Sequence, residues 1–370
     1  LEQYVMADTF FTLTLLAAVL LVLWPRLRCA PRPRPARRAV VLVAVAGLLV
    51  AFAAIQRETG LWVTPIFVIY LLWRRVPATQ LAAFVIALAL PIIGYASLVN
   101  AEYGVFGLTA TAGRTIYSRV AGLADCRGLL LPRDQRRLCE TPAARARHPT
   151  APDWYMFAAA SPAQRHYNLA RETIAQQARS DAILGGFAKR IILHQPLDYA
   201  RSVLGDFFDF LRPGATAYRD SVSATSLPLS AAAETTDASV RRRLLPGLRP
   251  EVRAPARVVR WYRHAIHVPR PVLAVLAILS LLALVKRTSA RREILLTAGG
   301  GLLLLLGTAA TGGFGLRYLL PAVPLLTIGG ALAMRDLAEY WPDRYSVCKM
   351  LPTVRRRTPG EPAPRRRRST

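Results

Sequence analysis

Residues 81–99 read LAAFVIALALPIIGYASLV, an unbroken apolar run without a single Asp, Glu, Lys, Arg or His. A helix that crosses a bilayer needs about 20 such residues, with about 17 as the lower limit. The run predicts a transmembrane helix and sets the terms on which its neighbours are read. Residues 9–24, 39–55, 61–73, 271–285, 294–310 and 318–334 are similarly apolar, which makes seven predicted spans in all. Residues 61–73 and 271–285 are short for a span, so a re-entrant or tilted arrangement stays open for each. The first run is not a signal peptide: the residues leading into it are acidic (Glu2, Asp8), and no small-residue cleavage site follows.

Composition points the same way. The 370 residues are 53% hydrophobic, yet 49 Lys and Arg stand against 22 Asp and Glu, for a net charge of +27. A soluble protein with so basic a surface is normally less hydrophobic. Four cysteines in a chain of this length do not make a disulfide scaffold. The expected fold class is an all-α polytopic membrane protein, with about seven transmembrane helices and a mainly helical external segment between the fourth and fifth. The divisions are residues 1–99 (helices one to four), 100–270 (external), 271–335 (helices five to seven) and 336–370 (a basic tail).

Short loops orient the spans. Arg26, Arg28, Arg32, Arg34, Arg37 and Arg38 follow the first, Arg74 and Arg75 the third, Lys286, Arg287, Arg291 and Arg292 the fifth, and RRRTPGEPAPRRRR closes the chain. All fall on one side if every run spans, and the positive-inside rule makes that side the cytoplasm. The plasma membrane is the expected location, with the N-terminus and residues 100–270 outside and the C-terminus inside. An odd number of helices is then expected upstream of Leu1.

The external segment is long enough to translocate whatever its charge. Residues 163–193 read as helix. A second helix starts at Pro196, with Leu204, Phe207, Phe208 and Leu211 on one face, suited either to the membrane interface or to packing in its own domain. Residues 215–237 read as a loop. Cys126 and Cys139 lie in this oxidising compartment and are expected to pair, worth about 3 kcal/mol through restriction of the unfolded chain. Cys29 and Cys348 fall on the cytoplasmic side and are expected to stay reduced.

Other chemistry is sparse. TAGGGLLLLLG lies within an apolar helix, where glycines serve close packing and not a phosphate cradle. His264 and His267 have no Cys or carboxylate beside them, so no metal site is assigned, although a divalent cation stays open as a cofactor. The basic tail suits anionic lipid better than nucleic acid. The informative charges gather at the external ends of the spans: Glu2 and Asp8, Arg57 and Glu58, and Arg317 in GFGLRYLLPAVP.

In this order, EQYVMADTFFTLTLL, RETGLWVTPIFVIYLLWRR and GLRYLLPAVPLL resemble the landmarks of integral membrane glycosyltransferases of the GT-C type, the lipid-carrier-dependent class that includes dolichyl-phosphate-mannose protein mannosyltransferases. GLTATAGRTIYSRVAGLADC and the two-cysteine loop look most like actinobacterial members of that class. The resemblance implies transfer of a sugar from a polyprenyl-phosphate donor to an acceptor on the external face. It matches Asp8 to an acidic residue that supports the catalytic base or binds a cation, Arg57 to the basic residue before the TGL turn, and Arg317 to the arginine of RYLLP. It also implies an upstream loop carrying the base itself, so this chain alone is expected to be incomplete as an enzyme.

Such chemistry needs positive charge where phosphate charge develops and a carboxylate to take the acceptor's proton. Arg317 and Arg57 serve the first, with Tyr318 and Glu58 completing the substrate-binding set; Tyr318 also suits an interfacial anchor. The alternatives are a membrane-anchored receptor or scaffold acting through its external segment, and a secondary transporter. The second is disfavoured because the spans carry almost no ionisable groups.

Overall fold

The computed structural model describes residues 2–27, 36–148, 150–167, 169, 172–213 and 270–339. These are mostly helical, and no strand occurs among them. Cys29, Cys348, His264, His267, the loop 215–237 and the tail beyond residue 339 lie outside the described residues.

Four helices open the chain: α1 (Glu2–Leu27), α2 (Ala36–Gln56), α3 (Thr64–Trp73) and α4 (Ala78–Tyr103). A 3-10 turn, Glu58–Val63, joins α2 to α3. Phe11, Leu15, Val50, Phe67 and Phe84 are buried where these helices meet, and the rings of Phe67 and Phe84 stack with centroids 5.9 Å apart. Next come α5 (Ala112–Ala121), the short helices α6 (Arg133–Arg136), α7 (Pro142–Arg145), α8 (Pro152–Phe157) and α9 (Pro162–Tyr167), then α10 (Ile174–His194) and α11 (Pro196–Asp209). Tyr117, Tyr155, Leu184 and Phe187 form the core of this middle layer. The chain resumes with α12 (Arg270–Val285), α13 (Arg291–Ile294), a π-helical turn Leu295–Gly299, α14 (Gly300–Thr311), a 3-10 turn Leu316–Leu319 and α15 (Ala322–Glu339).

Among the described residues three helical stretches are long and apolar enough to cross a membrane: Arg37–Gln56, Ala78–Tyr103 and Arg291–Thr311. Asp8–Trp24, Glu58–Trp73 and Arg270–Val285 are apolar but shorter. Ile86, Leu90, Leu98 and Ile278 point away from the protein, an apolar exterior that suits lipid and not water. The glycines of α14 act as expected of packing residues: a Cβ at Gly301 would press on Leu326 at 3.0 Å and on the Ala322 carbonyl at 3.2 Å.

Two stretches depart from the sequence reading in ways that have a local cause. The last apolar run opens with the 3-10 turn and becomes α-helical only at Ala322, just past Pro321, whose ring disfavours the α region for the residue before it. That helix then continues to Glu339, and its Asp336 is buried, accepting hydrogen bonds from Ala290 N at 2.6 Å and Ser289 Oγ at 3.0 Å. The predicted helix 163–193 is interrupted. Thr173 and Gln176 form a reciprocal capping box that starts α10 afresh after α9.

The basic loops that follow α3 and α12 share one end of the helical layer. Arg75 and Arg287 each adopt a left-handed conformation (φ 51° and 55°) just past α3 and α12. The Arg291 guanidinium lies over the Trp73 ring at 5.1 Å, and Arg74 meets Glu293 at 3.6 Å. The segment Glu58–Trp73 runs from this end to the other, where the middle layer sits.

Candidate functional site

At that opposite end, Arg57 leaves α2 in an extended conformation (φ −147°), which turns its side chain out of the helix. Its backbone N–H still donates to Ala53 O at 2.9 Å, and Gly60 N–H donates to Arg57 O at 2.8 Å, so the turn is tightly held. The guanidinium Nε lies 2.7 Å from Asp8 Oδ1 of α1, and the group sits over the Tyr318 ring at 5.1 Å. A buried carboxylate on one side and an aromatic face on the other restrict a long, otherwise mobile side chain.

Beside this cluster opens a cavity of about 510 Å³ whose wall includes Arg57, Glu58, Trp62, Pro65, Thr115, Thr308, Thr311 and Tyr318. Its floor follows from a glycine. Any Cβ at Gly307 would run into the Trp62 indole, so only glycine lets that ring lie flat on α14. Thr308 and Thr311 donate their hydroxyls back to Leu304 O and Gly307 O, each at 2.9 Å. Their oxygens keep acceptor capacity toward the cavity, a pattern suited to a ligand rich in hydroxyl donors.

Thr115 on α5 supplies the roof. The N-terminus of α5 is capped from another helix: Gly113 N–H and Arg114 N–H donate to the Asp181 carboxylate of α10 at 2.9 and 2.7 Å. Arg114 also pairs with Glu172 at 2.9 Å. Burial raises the Asp181 pKa, against the lowering effect of those two backbone donors. Glu58 is solvent-exposed at the cavity wall. Desolvation is the main cause that raises its pKa, and the nearby Asp181 charge adds to it.

The sequence-predicted residues thus converge in part. Arg57, Glu58 and Tyr318 share the cavity wall. Asp8 stands behind Arg57 and not in the wall, so its position is that of a residue that orients the guanidinium. Arg317 shares the 3-10 turn with Tyr318, and its side chain lies outside the described residues. Cys126 and Cys139 are joined, with Cα atoms 6.2 Å apart, away from the cavity in the middle layer. Among the described residues no group of three or more His, Cys, Asp or Glu is placed to hold a metal ion.

Sequence reasoning missed Trp62, Thr115, Thr308, Thr311 and Asp181. Trp62 and Thr115 stand inside stretches that carry the family resemblance, but only the folded chain shows which of their side chains face the cavity. Compared with protein-family models, curated proteins and solved structures, the chain matches none.

Proposed function

We propose that this protein is a membrane glycosyltransferase of the lipid-carrier-dependent type. It would move a sugar from a polyprenyl-phosphate donor to an acceptor at the external face of a seven-span plasma-membrane fold. One observation carries the reading: a cavity at the end of the apolar helical layer has in its wall a guanidinium oriented by a buried carboxylate and an aromatic ring.

The chemistry assigned to these groups is as follows. The bond from the anomeric carbon to the phosphate oxygen breaks, and its electron pair leaves with the phosphate. A planar guanidinium is suited to that developing charge, because its fork of N–H donors matches two phosphate oxygens. Arg57 takes this role, assisted by Arg317 on the neighbouring turn. The acceptor hydroxyl forms the new bond to the anomeric carbon and gives its proton to a carboxylate. Glu58 is the one carboxylate among the described wall residues. With its pKa raised it is a stronger proton acceptor than an ordinary glutamate, which suits it to bind the acceptor hydroxyl and receive that proton. Trp62 offers an apolar face for a sugar ring, and the threonine oxygens accept from its hydroxyls.

The test is consumption of labelled polyprenyl-phosphate sugar by the full-length protein in liposomes. Loss of donor that is abolished by Arg57→Ala, with the variant still folded, supports the reading. A well-folded full-length protein that consumes none of a panel of such donors refutes it.

A further inference from the structure

Helix α11 lies across the end of the helical layer. Near its start, the Tyr199 hydroxyl donates to Ala310 O at 2.9 Å; at its end, Phe210 meets the Phe314 ring at 4.9 Å. Those positions on α11 are separated by roughly 16 Å along a helix axis. Their two partners lie close together, because Gly312 and Gly313 both donate to Thr308 O and fold the loop back over the end of α14. A helix running alongside α14 would meet residues spread along its length. Arg270, at the start of α12, also reaches the Asp209 carbonyl, so α11 bridges the ends of two membrane-layer helices.

Successive residues turn by about 100°, which divides α11 into sectors. Val203, Phe207 and Phe210 face the helical layer. Asp206 faces the middle layer and pairs with the buried Arg119 of α5 at 2.9 Å. Leu197, Leu204 and Phe208 form a stripe that stays uncovered among the described residues, at 70%, 49% and 59% exposure. On the flank farthest from the layer lie Asp198, Arg201, Asp209 and Arg212, paired at i, i+3 in water-accessible positions. The apolar stripe therefore sits between the side packed on the helical layer and the charged flank. That is the arrangement of a helix lying at a bilayer surface, with apolar side chains below and charges at the level of the headgroups.

We infer that the Leu197–Leu204–Phe208 face of α11 is a phospholipid-binding surface, sunk into the interfacial layer of the leaflet on the cavity side. The occupant is bilayer lipid because the stripe continues the apolar exterior of the spans, reached at Val272 and Val275 on α12, the helix whose first residue holds the end of α11. The consequence concerns the cavity. Arg119 is one helical turn from Thr115, so the Asp206–Arg119 pair ties the cavity roof to a lipid-bound helix and keeps that roof at headgroup depth.

The inference rests on the membrane-spanning part of the proposed function and not on its chemistry, and the test separates the two. Cys29→Ser and Cys348→Ser leave only the joined Cys126 and Cys139, so one added cysteine can carry a nitroxide. The label is placed by Leu204→Cys or Phe208→Cys, with Arg127→Cys on the middle layer and Ile86→Cys on α4 as references. In phosphatidylcholine and phosphatidylglycerol nanodiscs, power-saturation measurements compare collisions with oxygen, which partitions into lipid, and with a water-soluble nickel complex.

Oxygen collisions exceeding nickel collisions severalfold at 204 and 208, as at 86, with the reverse at 127, support the inference. Nickel predominating at 204 and 208 while 86 reads as lipid overturns it and leaves the spans intact. Low collision with both reagents and an immobilised spectrum would mean that protein covers the stripe, which also overturns it. Nickel predominating at 86 refutes the membrane placement itself.

Discussion

The Asp8–Arg57 pair gives the sharpest test of the site's construction. The two charges approach to 2.7 Å with side chains only 6% and 16% exposed. Removing one member of such a buried pair leaves the other charge desolvated and costs about 3–5 kcal/mol. Arg57 keeps some solvent through the cavity and keeps the Tyr318 ring, so Asp8→Ala should fall at the low end, about 3 kcal/mol. With about 2–4 °C of Tm per kcal/mol in a domain of 150–250 residues, the expected drop is roughly 6–12 °C. Arg57→Met should cost as much, by stranding the carboxylate. Asp8→Leu combined with Arg57→Met removes both charges and keeps the volume, so it should recover most of the loss. Thermal unfolding of the detergent-purified variants at one fixed scan rate measures all three. The refuting result is additivity: single costs that sum to the double within about 0.5 kcal/mol would mean the charges do not meet in a desolvated place. The double variant should nonetheless consume no lipid-linked sugar, which separates the pair's structural role from Arg57's proposed role at phosphate.

Further outcomes follow from the same structure. In the proposed donor-consumption assay, Arg317→Lys should lose much of the activity at unchanged expression, and Arg317→Ala more, by about 2.7–4 kcal/mol of barrier if the planar fork grips phosphate; wild-type turnover by the Lys variant leaves Arg317 an interfacial anchor. Cys126→Ser with Cys139→Ser should lower stability by about 3 kcal/mol, and non-reducing peptide mapping of the native protein should find the two fragments linked. The raised Glu58 pKa sets a pH dependence: its contribution to stability is fully present below the unfolded value of 4.5 and is lost as pH rises through the higher folded value. Glu58→Gln should therefore match or exceed wild-type Tm at pH 7, and that relative gain should vanish at pH 4; a gain that persists at pH 4 rules out ionisation as its cause. An impermeant thiol reagent applied to intact cells should leave Cys29 and Cys348 unlabelled, and labelling of either reverses the orientation.

Apolar runs are legible in a sequence because a bilayer demands length and apolarity along one continuous segment. Residues 39–55, 81–99 and 294–310 accordingly stand out before any folding is considered, and each lies within a helix long enough to cross a membrane. Charges at the ends of runs are legible for the same reason, so Asp8, Arg57 and Glu58 could be singled out as unusual. What they do to one another could not. Asp8 and Arg57 are on different helices, and nothing in their spacing says that one holds the other. Trp62 and Gly307 form one surface only because the 3-10 turn before α3 packs on α14. The boundaries at Pro321 and Thr173 are set by a single ring and a pair of local hydrogen bonds, weak signals beside the strong apolar pattern around them. The outward face of α11 shows the division most plainly. Sequence periodicity groups Leu204 and Phe208 with Phe207 and Leu211, since all four fall within one broad arc of the helix. Packing against α14 takes Phe207 and Leu211 inward and leaves Leu204 and Phe208 to whatever lies outside. Periodicity records that a helix has an apolar side; only tertiary contacts decide how much of that side is spent on the protein and how much remains for the membrane.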